Sequence, residues 1–224
     1  MVRGCFGSPC FFSTSPNMKT SIYIDGFNLY FRAVKNTSYK WLDLKKLVTL
    51  LLQPSHQIVE IKYFTAKVSG RFDSQQPIRQ KTYIRALEKS IPELSVHYGH
   101  FMSHNVKMPN APLTTPRTYS RVYKTEEKGS DVNLAVHMLN DAWCNKYDCA
   151  VLISNDSDLA EPLKLIRNEL NKKIGLIFPS IKGHPSKELQ SHAHFIKRIR
   201  KGVLAQSQLP DQIPGTSITK PKNW

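Results

Sequence analysis

The 224-residue chain carries 32 lysine and arginine residues against 17 aspartate and glutamate residues, which leaves a formal charge of +15. Its length and its 40% hydrophobic content are ordinary for one globular domain, and no apolar run approaches the roughly 20 residues that span a bilayer. These properties argue against a membrane protein and favour a polyanionic partner, above all nucleic acid. Four cysteines lack both zinc-site spacing and the density of a disulfide scaffold, so free thiols and a cytoplasmic location are predicted.

The hydrophobic periodicity predicts strands that alternate with helices along the chain. Residues 1–18 contain two short apolar patches broken by proline and serine, and we expect a disordered leader there. The strands and helices predicted after it, in the order strand, helix, helix, strand, helix, strand, span 21–25, 26–36, 42–53, 58–68, 75–91 and 93–101. Three prolines then interrupt the pattern, which predicts an irregular loop over 102–118.

The second half of the chain returns to the same alternation. A strand is predicted at 119–127, and the alternating helices and strands after it span 130–143, 148–154, 156–170, 173–178 and 186–201. Residues 201–224 hold too few clustered apolar residues to fold alone, so a disordered basic tail is predicted. The alternation predicts an α/β fold with a mostly parallel sheet and helices on both faces, formed by residues 19–200.

Four aspartates follow or precede predicted strands at positions where ligands bind in such folds. Asp25 follows the first strand, Asp156 and Asp158 follow the very apolar strand at 148–154, and Asp131 begins the helix before that strand. Ligands of open α/β sheets bind beyond the carboxyl ends of the strands. If the two strands are neighbours, the four carboxylates therefore meet in one crevice.

A cluster of carboxylates in a basic chain repels itself and needs a counter-charge. Mg²⁺ and Mn²⁺ prefer oxygen ligands, so the four aspartates, with no cysteine or histidine beside them, are predicted to bind one of these ions. Each aspartate also has an ordinary explanation, because aspartate is favoured in turns and at helix starts. Asn28, one helical turn beyond Asp25, either reaches the same crevice or lies on an exposed helix start.

Three segments that contain these residues, "YIDGFNLY", "EEKGSDVNLAVHML" and "YDCAVLISNDSDLAEPLKLI", together resemble the NYN domains of the PIN-like nuclease superfamily. The resemblance covers about residues 20–200 and implies a three-layer α/β/α PIN-like (Rossmann-like) fold with metal-dependent ribonuclease activity. The metal-binding positions that it implies are Asp25, Asp131, Asp156 and Asp158. Asn28 matches a polar helper of the family, and Lys128 matches a position beside the second acid. Asn155 departs from the family pattern, which usually has glycine there.

The predicted strand at 119–127 interleaves basic and aromatic residues. Tyr119, Arg121 and Tyr123 share one face of it, where they offer stacking surfaces for unpaired bases with a guanidinium between them. Aromatic residues packed into a core would give the same pattern. The predicted substrate-binding residues are Arg117, Tyr119, Arg121, Tyr123, Lys124, Lys128, Ser154 and Asn155.

The sequence therefore predicts a Mg²⁺- or Mn²⁺-dependent endoribonuclease that acts on single-stranded or structured RNA, and the family implies products with 5′-phosphate and 3′-hydroxyl ends. The alternative is a non-catalytic RNA-binding or assembly module on the same scaffold. A phosphatase is disfavoured, because Phe27 stands where that enzyme needs an acid. The sequence leaves open whether the chain forms a homodimer.

Overall fold

The computed structural model describes residues 17–71, 73–113, 115–222 and 224. Its strands are β1 (Met18–Asp25), β2 (His56–Ala66), β3 (Leu94–Pro109), β4 (Tyr119–Lys128), β5 (Cys149–Ile153), β6 (Lys173–Phe178) and β7 (Phe195–Arg198). They form one sheet in the order β4-β3-β2-β1-β5-β6-β7, and its neighbouring strands are parallel except for β3 and β4. The mostly parallel sheet predicted from the sequence is confirmed.

Helices cover both faces of this sheet. They are α1 (Gly26–Leu29), continued by a π-helical segment (Tyr30–Val34), α2 (Leu44–Leu51), α3 (Gln75–Ser90), α4 (Ser130–Trp143), α5 (Ala160–Asn168), α6 (Lys187–His192) and α7 (Lys201–Gln206). The alternation of side chains along β1 creates the two layers, because Ile22 and Ile24 pack into one core and Tyr23 into the other. Within the described ranges, no helix has the length and apolar content needed to cross a membrane.

A buried polar network holds α4 against the sheet. Asp141 of α4 is fully buried and accepts hydrogen bonds from the Tyr23 hydroxyl of β1 (2.8 Å) and from the Lys146 ammonium group (2.8 Å). Lys62 of β2 forms a short ion pair with the same carboxylate. The buried charge is therefore fully paired, and the position of α4 relative to β1 and β2 is fixed by polar contacts as well as by packing.

The predicted irregular loop over 102–118 is wrong for its first half. β3 continues to Pro109 and pairs with β4 from His100 opposite Lys128 to Pro109 opposite Tyr119. Most side chains of this hairpin are exposed on both faces. Hydrophobic periodicity arises from one buried face, so a ribbon that is exposed to solvent on both faces leaves no such pattern in the sequence.

The end of the chain also departs from the prediction. In place of one helix over 186–201, α6 is followed by β7, whose parallel pairing with β6 places the Phe195 ring directly over Gly175. The predicted disordered tail contains α7 and packs on the core that includes α2. Its buried residues are Leu204, Leu209, Ile213 and Ile218.

The predicted leader falls mostly outside the residues that the structure describes, which begin at residue 17. Met18 already belongs to β1, where it is paired with His56, so the strand starts three residues earlier than predicted.

Candidate active site at the carboxyl ends of β1 and β5

The carboxyl ends of β1 and β5 meet at the centre of the sheet. The two strands are parallel neighbours, with Ile24 opposite Ile153, so Asp25 and Ser154 follow at the same edge. The chain continues from β1 to β2 on one side, while β5 and β6 lie on the other. This is the switch point at which open α/β sheets bind ligands.

Asp25 is held by a complete set of donors. Its Oδ1 accepts the backbone N–H of Asn28 (2.9 Å), which caps α1, and its Oδ2 accepts the Asn28 amide (2.7 Å) and the Ser154 hydroxyl (2.9 Å). Asp25 is only 4% exposed, and burial raises its pKa while these three donors oppose the rise. Asp25 therefore has two roles. It caps the start of α1, as an ordinary aspartate at a helix start does, and its carboxylate also lines the cavity described below.

Gly26 lets α1 approach the sheet directly after Asp25. A Cβ atom on residue 26 would lie 2.7 Å from the Phe64 carbonyl oxygen and from the Tyr63 ring. Any larger residue would therefore push the start of α1, and the Asp25 carboxylate that caps it, away from β2.

Asn28 joins the two strand ends. Its Oδ1 accepts hydrogen bonds from the Arg32 Nε (2.8 Å) and from the backbone N–H of Asn155 (3.3 Å). Asn155 in turn accepts the backbone N–H of Ser186 (2.7 Å), which caps α6. The two hydrogen bonds to Asn28 Oδ1 fix the orientation of its side-chain amide, whose NH₂ group donates to Asp25. Asn28 therefore links the segment after β1 to the segment after β5.

Asp131 enters the site from the first turn of α4. It lies two residues after Gly129, which precedes α4 and has a φ of +93°, and both Asp131 and Glu127 line the same cavity as Asp25. Burial, followed by repulsion from Asp25, Asp156 and other nearby carboxylates, raises the pKa of Asp131 from its ordinary value of 3.8 to about 6. Asp131 therefore lies close enough to these carboxylates to interact with them electrostatically.

Asp156 and Asp158 stand at the short 3₁₀ turn that precedes α5. Oδ1 of Asp156 accepts the backbone N–H of Asp158 (3.1 Å), and the Asp156 backbone N–H donates to the Ser154 hydroxyl (3.1 Å). Asp158 is exposed. Both act on Asp131 through space, so the structure brings all four predicted aspartates to one edge of the sheet.

A cavity of about 650 Å³ opens beside these carboxylates. The walls combine the carboxylates of Asp25, Glu127 and Asp131 with aromatic rings. The aromatic residues that line it are Phe27, Phe31, Phe101 and Tyr123. The Arg71 guanidinium lies 3.7 Å from the centre of the Tyr123 ring, at a distance typical of a cation–π contact. The cavity therefore offers acidic, aromatic and cationic groups together.

The donor chemistry of this edge fits a hard divalent cation. Every candidate ligand is a carboxylate or amide oxygen, and the pKa of Asp131 is raised by burial and then by the negative charge of neighbouring carboxylates, which a cation would offset. Within the described ranges, however, no three histidine, cysteine, aspartate or glutamate side chains are arranged as a ready-made metal site. Mg²⁺ usually retains several waters beside one or two carboxylates, so an open arrangement of this kind is compatible with it.

The predicted substrate-binding residues are distributed over three places. Tyr123 lines the cavity, and Tyr119 and Arg121 lie on the same face of β4 farther from the sheet. Lys124 and Lys128, which were predicted to bind substrate, lie on the other face of β4, where both form ion pairs with Glu126, so the structure does not bring them to the cavity. The remaining predicted residue of this region, Arg117, is exposed in the connection before β4.

Ser154 and Asn155 support the site from behind. Ser154 was predicted to bind substrate, but it is fully buried and its hydroxyl donates to Asp25. It therefore positions the Asp25 carboxylate. The amide of Asn155 is occupied by the start of α6.

Glu127, Arg71 and Phe101 were missed by the sequence reasoning. Glu127 accepts hydrogen bonds from the backbone N–H (3.1 Å) and hydroxyl (2.7 Å) of Ser130 and thereby caps α4 from the preceding strand. A signal for it was present, since Glu127 has the same parity as Tyr123 on β4 and so shares its face. Arg71 and Phe101 gave no comparable signal, because only the tertiary structure brings their segments to the cavity.

The helices on both sheet faces and the carboxylates at the switch point define an α/β domain with an acidic candidate site. Residues 19–204 match the NYN domain family, and the chain belongs to this family. The family suggests membership of a nuclease-like superfamily, and the resemblance stated from the sequence is confirmed.

Proteins similar to this chain include a named enzyme and a protein of solved structure. The 6-hydroxy-3-succinoylpyridine 3-monooxygenase HspA of Pseudomonas putida is 35% identical to this chain over an alignment 239 residues long. The alignment covers 94% of this chain and 76% of the relative. The crystal structure of VPA0982, a protein of unknown function from Vibrio parahaemolyticus, matches with a TM-score of 0.53 and 16% identity, over 84% of this chain and 97% of that chain. The second likeness concerns the fold alone.

Proposed function

We propose that the protein is a metal-dependent endoribonuclease that hydrolyses RNA phosphodiester bonds in the cytoplasm. The observation that carries the proposal is the gathering of carboxylates at the switch point of a chain of charge +15, where burial and then the repulsion between these carboxylates raise the pKa of Asp131 to about 6. An acidic centre in a basic surround suits a reaction on a polyanion, because the surround attracts the strand while the centre holds a cation. Membership in the NYN domain family supports the same activity.

The residues proposed to hold Mg²⁺ or Mn²⁺ are Asp25, Asp131, Asp156 and Asp158. Such an ion lowers the pKa of a bound water and offsets charge that develops on phosphoryl oxygens. Asn28 and Ser154 orient the Asp25 carboxylate through the hydrogen bonds described above. Without a cation, Asp131 takes up a proton near pH 6, so cation binding and protonation compete at this carboxylate.

The test is cleavage of a labelled, unstructured RNA by the purified protein in Mn²⁺, with and without chelator. We expect cleavage that the chelator abolishes and that Asp25→Asn reduces by at least about 100-fold, since loss of a group that orients the reaction costs this much. Asp211→Asn is the matched control, because the Asp211 side chain is 90% exposed and lies outside the site. Equal activity in all samples would contradict the proposal, and binding without cleavage would favour the non-catalytic module.

A second candidate function is monooxygenation of a small aromatic acid. It is favoured by the 35% identity to a relative named for oxygenating 6-hydroxy-3-succinoylpyridine, and by the aromatic cavity with Arg71 at its wall. In such a reaction one atom of O₂ enters the substrate ring. The other leaves as water, with two electrons and one proton supplied as a hydride by a reductant such as reduced nicotinamide adenine dinucleotide and the second proton supplied by solvent.

The two functions are separated by incubating the protein with 6-hydroxy-3-succinoylpyridine, reduced nicotinamide adenine dinucleotide and ¹⁸O₂. Incorporation of one ¹⁸O atom into the product, together with intact RNA in the parallel assay, would support the oxygenase and overturn the ribonuclease. If the protein is a ribonuclease, the amount of 6-hydroxy-3-succinoylpyridine should stay constant and the RNA should be cleaved.

A further inference from the structure

The β3–β4 hairpin reaches beyond the rest of the sheet. β3 pairs with β2 only up to Gly99, and from His100 to Pro109 it pairs with β4. The outer part of the hairpin is therefore a two-stranded ribbon attached to the edge of the sheet, directly beside the candidate active site. Most of its side chains are exposed, so the core does not explain their chemistry.

One face of this ribbon continues the wall of the cavity. Strand alternation and the observed register put Phe101 and Glu127 together on that face, next to Asp25. Thr125, Ser103 and Tyr123 follow outward and still line the cavity. Farther out come Lys107 opposite Arg121, and then Pro109 opposite Tyr119. The face thus forms a path, which we call the hairpin track.

Aromatic and cationic groups alternate along the hairpin track. Tyr123 lies under the Arg71 guanidinium (3.7 Å to the ring centre), and the Lys107 ammonium lies 5.1 Å from the centre of the Tyr119 ring. Tyr119 and Tyr123 are each 46% exposed. Within the part of the chain that the structure describes, Lys107 and Arg121 form no ion pair with a carboxylate.

The opposite face of the same strand differs in charge. Lys124 and Lys128 both pair with Glu126, so much of the positive charge there is already offset. Val122 contributes an exposed aliphatic side chain and no ring. The two faces of β4 therefore present different chemistry, and the face beside the carboxylates has an arginine without a carboxylate partner among the described residues, between two exposed tyrosine rings.

We propose that the hairpin track binds single-stranded RNA and delivers it to the carboxylates, which makes unpaired RNA the substrate class; this rests on the proposed ribonuclease function. Cations that follow a phosphate backbone and rings on which bases stack are the groups that bind single strands without sequence preference. Bases inside a duplex are already stacked and cannot use the rings. From Glu127 to Tyr119 the track measures about 27 Å at about 3.4 Å per residue, enough for a few nucleotides.

The track is tested by binding in EDTA, which separates affinity from cleavage. A fluorescein-labelled oligouridine of about 12 nucleotides is titrated with wild type and variants, and anisotropy is read at several salt concentrations. We expect Tyr123→Ala to weaken binding about fivefold or more, as loss of one stacked base does, and Arg121→Ala to lower the salt slope by about 0.7. The matched controls are Val122→Ala and Lys124→Ala on the opposite face, which should change affinity less than twofold.

The outcomes distinguish this inference from the function on which it rests. If wild type cleaves RNA but Arg121→Ala and Lys124→Ala weaken binding equally, the track is wrong and the ribonuclease stands. If a duplex of the same length binds as tightly as the single strand, the substrate class is wrong. If wild type neither binds nor cleaves RNA, both proposals fail. Melting temperatures within about 2 °C of wild type confirm that the exposed substitutions leave the fold intact.

Discussion

Replacing Asp131 by asparagine should stabilise the protein at neutral pH. Asp131 is half-buried among other carboxylates, and burial together with their repulsion raises its pKa from 3.8 to about 6. At about 1.4 kcal/mol per pKa unit, this rise corresponds to about 3 kcal/mol. Solvent screening of a partly exposed group reduces the figure to about 1–2 kcal/mol, which we expect as the gain for Asp131→Asn at pH 7.5.

The stability gained by Asp131→Asn should depend on pH. Between pH 3.8 and about 6 the folded protein holds a proton on Asp131 that the unfolded chain has released, so the free energy of unfolding falls as pH rises through this window. The penalty of the ionised form is complete above pH 6 and absent below pH 4. The advantage of Asp131→Asn should therefore be present at pH 7.5 and vanish at pH 4.

Urea unfolding of metal-free wild type and variant at both pH values measures this difference. Asp73→Asn is a suitable control, because a hydrogen bond from Arg79 lowers the pKa of the exposed Asp73, and its loss should bring no gain. If Asp131→Asn is no more stable than wild type at pH 7.5, burial and the neighbouring carboxylates do not disfavour the ionised form of Asp131.

Three further outcomes are expected. Mg²⁺ or Mn²⁺ should raise the melting temperature of wild type more than that of Asp131→Asn in scanning fluorimetry, and equal shifts would argue against a cation at this edge. Ser154→Ala removes a buried donor from Asp25 and should lower the free energy of unfolding by about 1.5–3 kcal/mol in urea, whereas an unchanged midpoint would mean that this hydrogen bond contributes nothing. Gly99→Ala would put a Cβ atom 2.6 Å from the Lys128 carbonyl oxygen, and a loss of about 1–3 kcal/mol is expected by thermal unfolding; full stability would show that the start of α4 can move freely.

The centre of the sheet was predictable because its strands are buried on both faces. β1 and β5 appear in the sequence as short apolar runs, and each is followed by an acidic residue or a polar turn. Parallel strands joined by helices place those ends at one edge, so Asp25 meets Asp156 and Asp158 provided that β1 and β5 are neighbours, which the sequence left open and the structure shows. The predicted metal ligation of these aspartates stays a prediction.

The edges of the sheet were not predictable in the same way. The outer β3–β4 hairpin has no buried face, and β7 has four residues, two of them basic, that pair only with β6. Their structure depends on backbone pairing with a neighbour distant in sequence, and neither composition nor periodicity reports such pairing. Alternation along β4 separates Lys124 from Tyr123, but only the tertiary structure shows that the face with Tyr123 is the one that lines the cavity.

The packing of the C-terminal segment has a practical consequence for defining the folding unit. The family match stops at residue 204, yet Leu209, Ile213 and Ile218 are buried in the core, and the Trp41 indole donates to the Pro210 carbonyl (2.9 Å). Burial of three such aliphatic side chains contributes about 5–9 kcal/mol, which is comparable to the whole stability of a domain. A fragment cut at the family boundary would therefore expose a core surface and aggregate, and expression fragments should extend beyond Ile218.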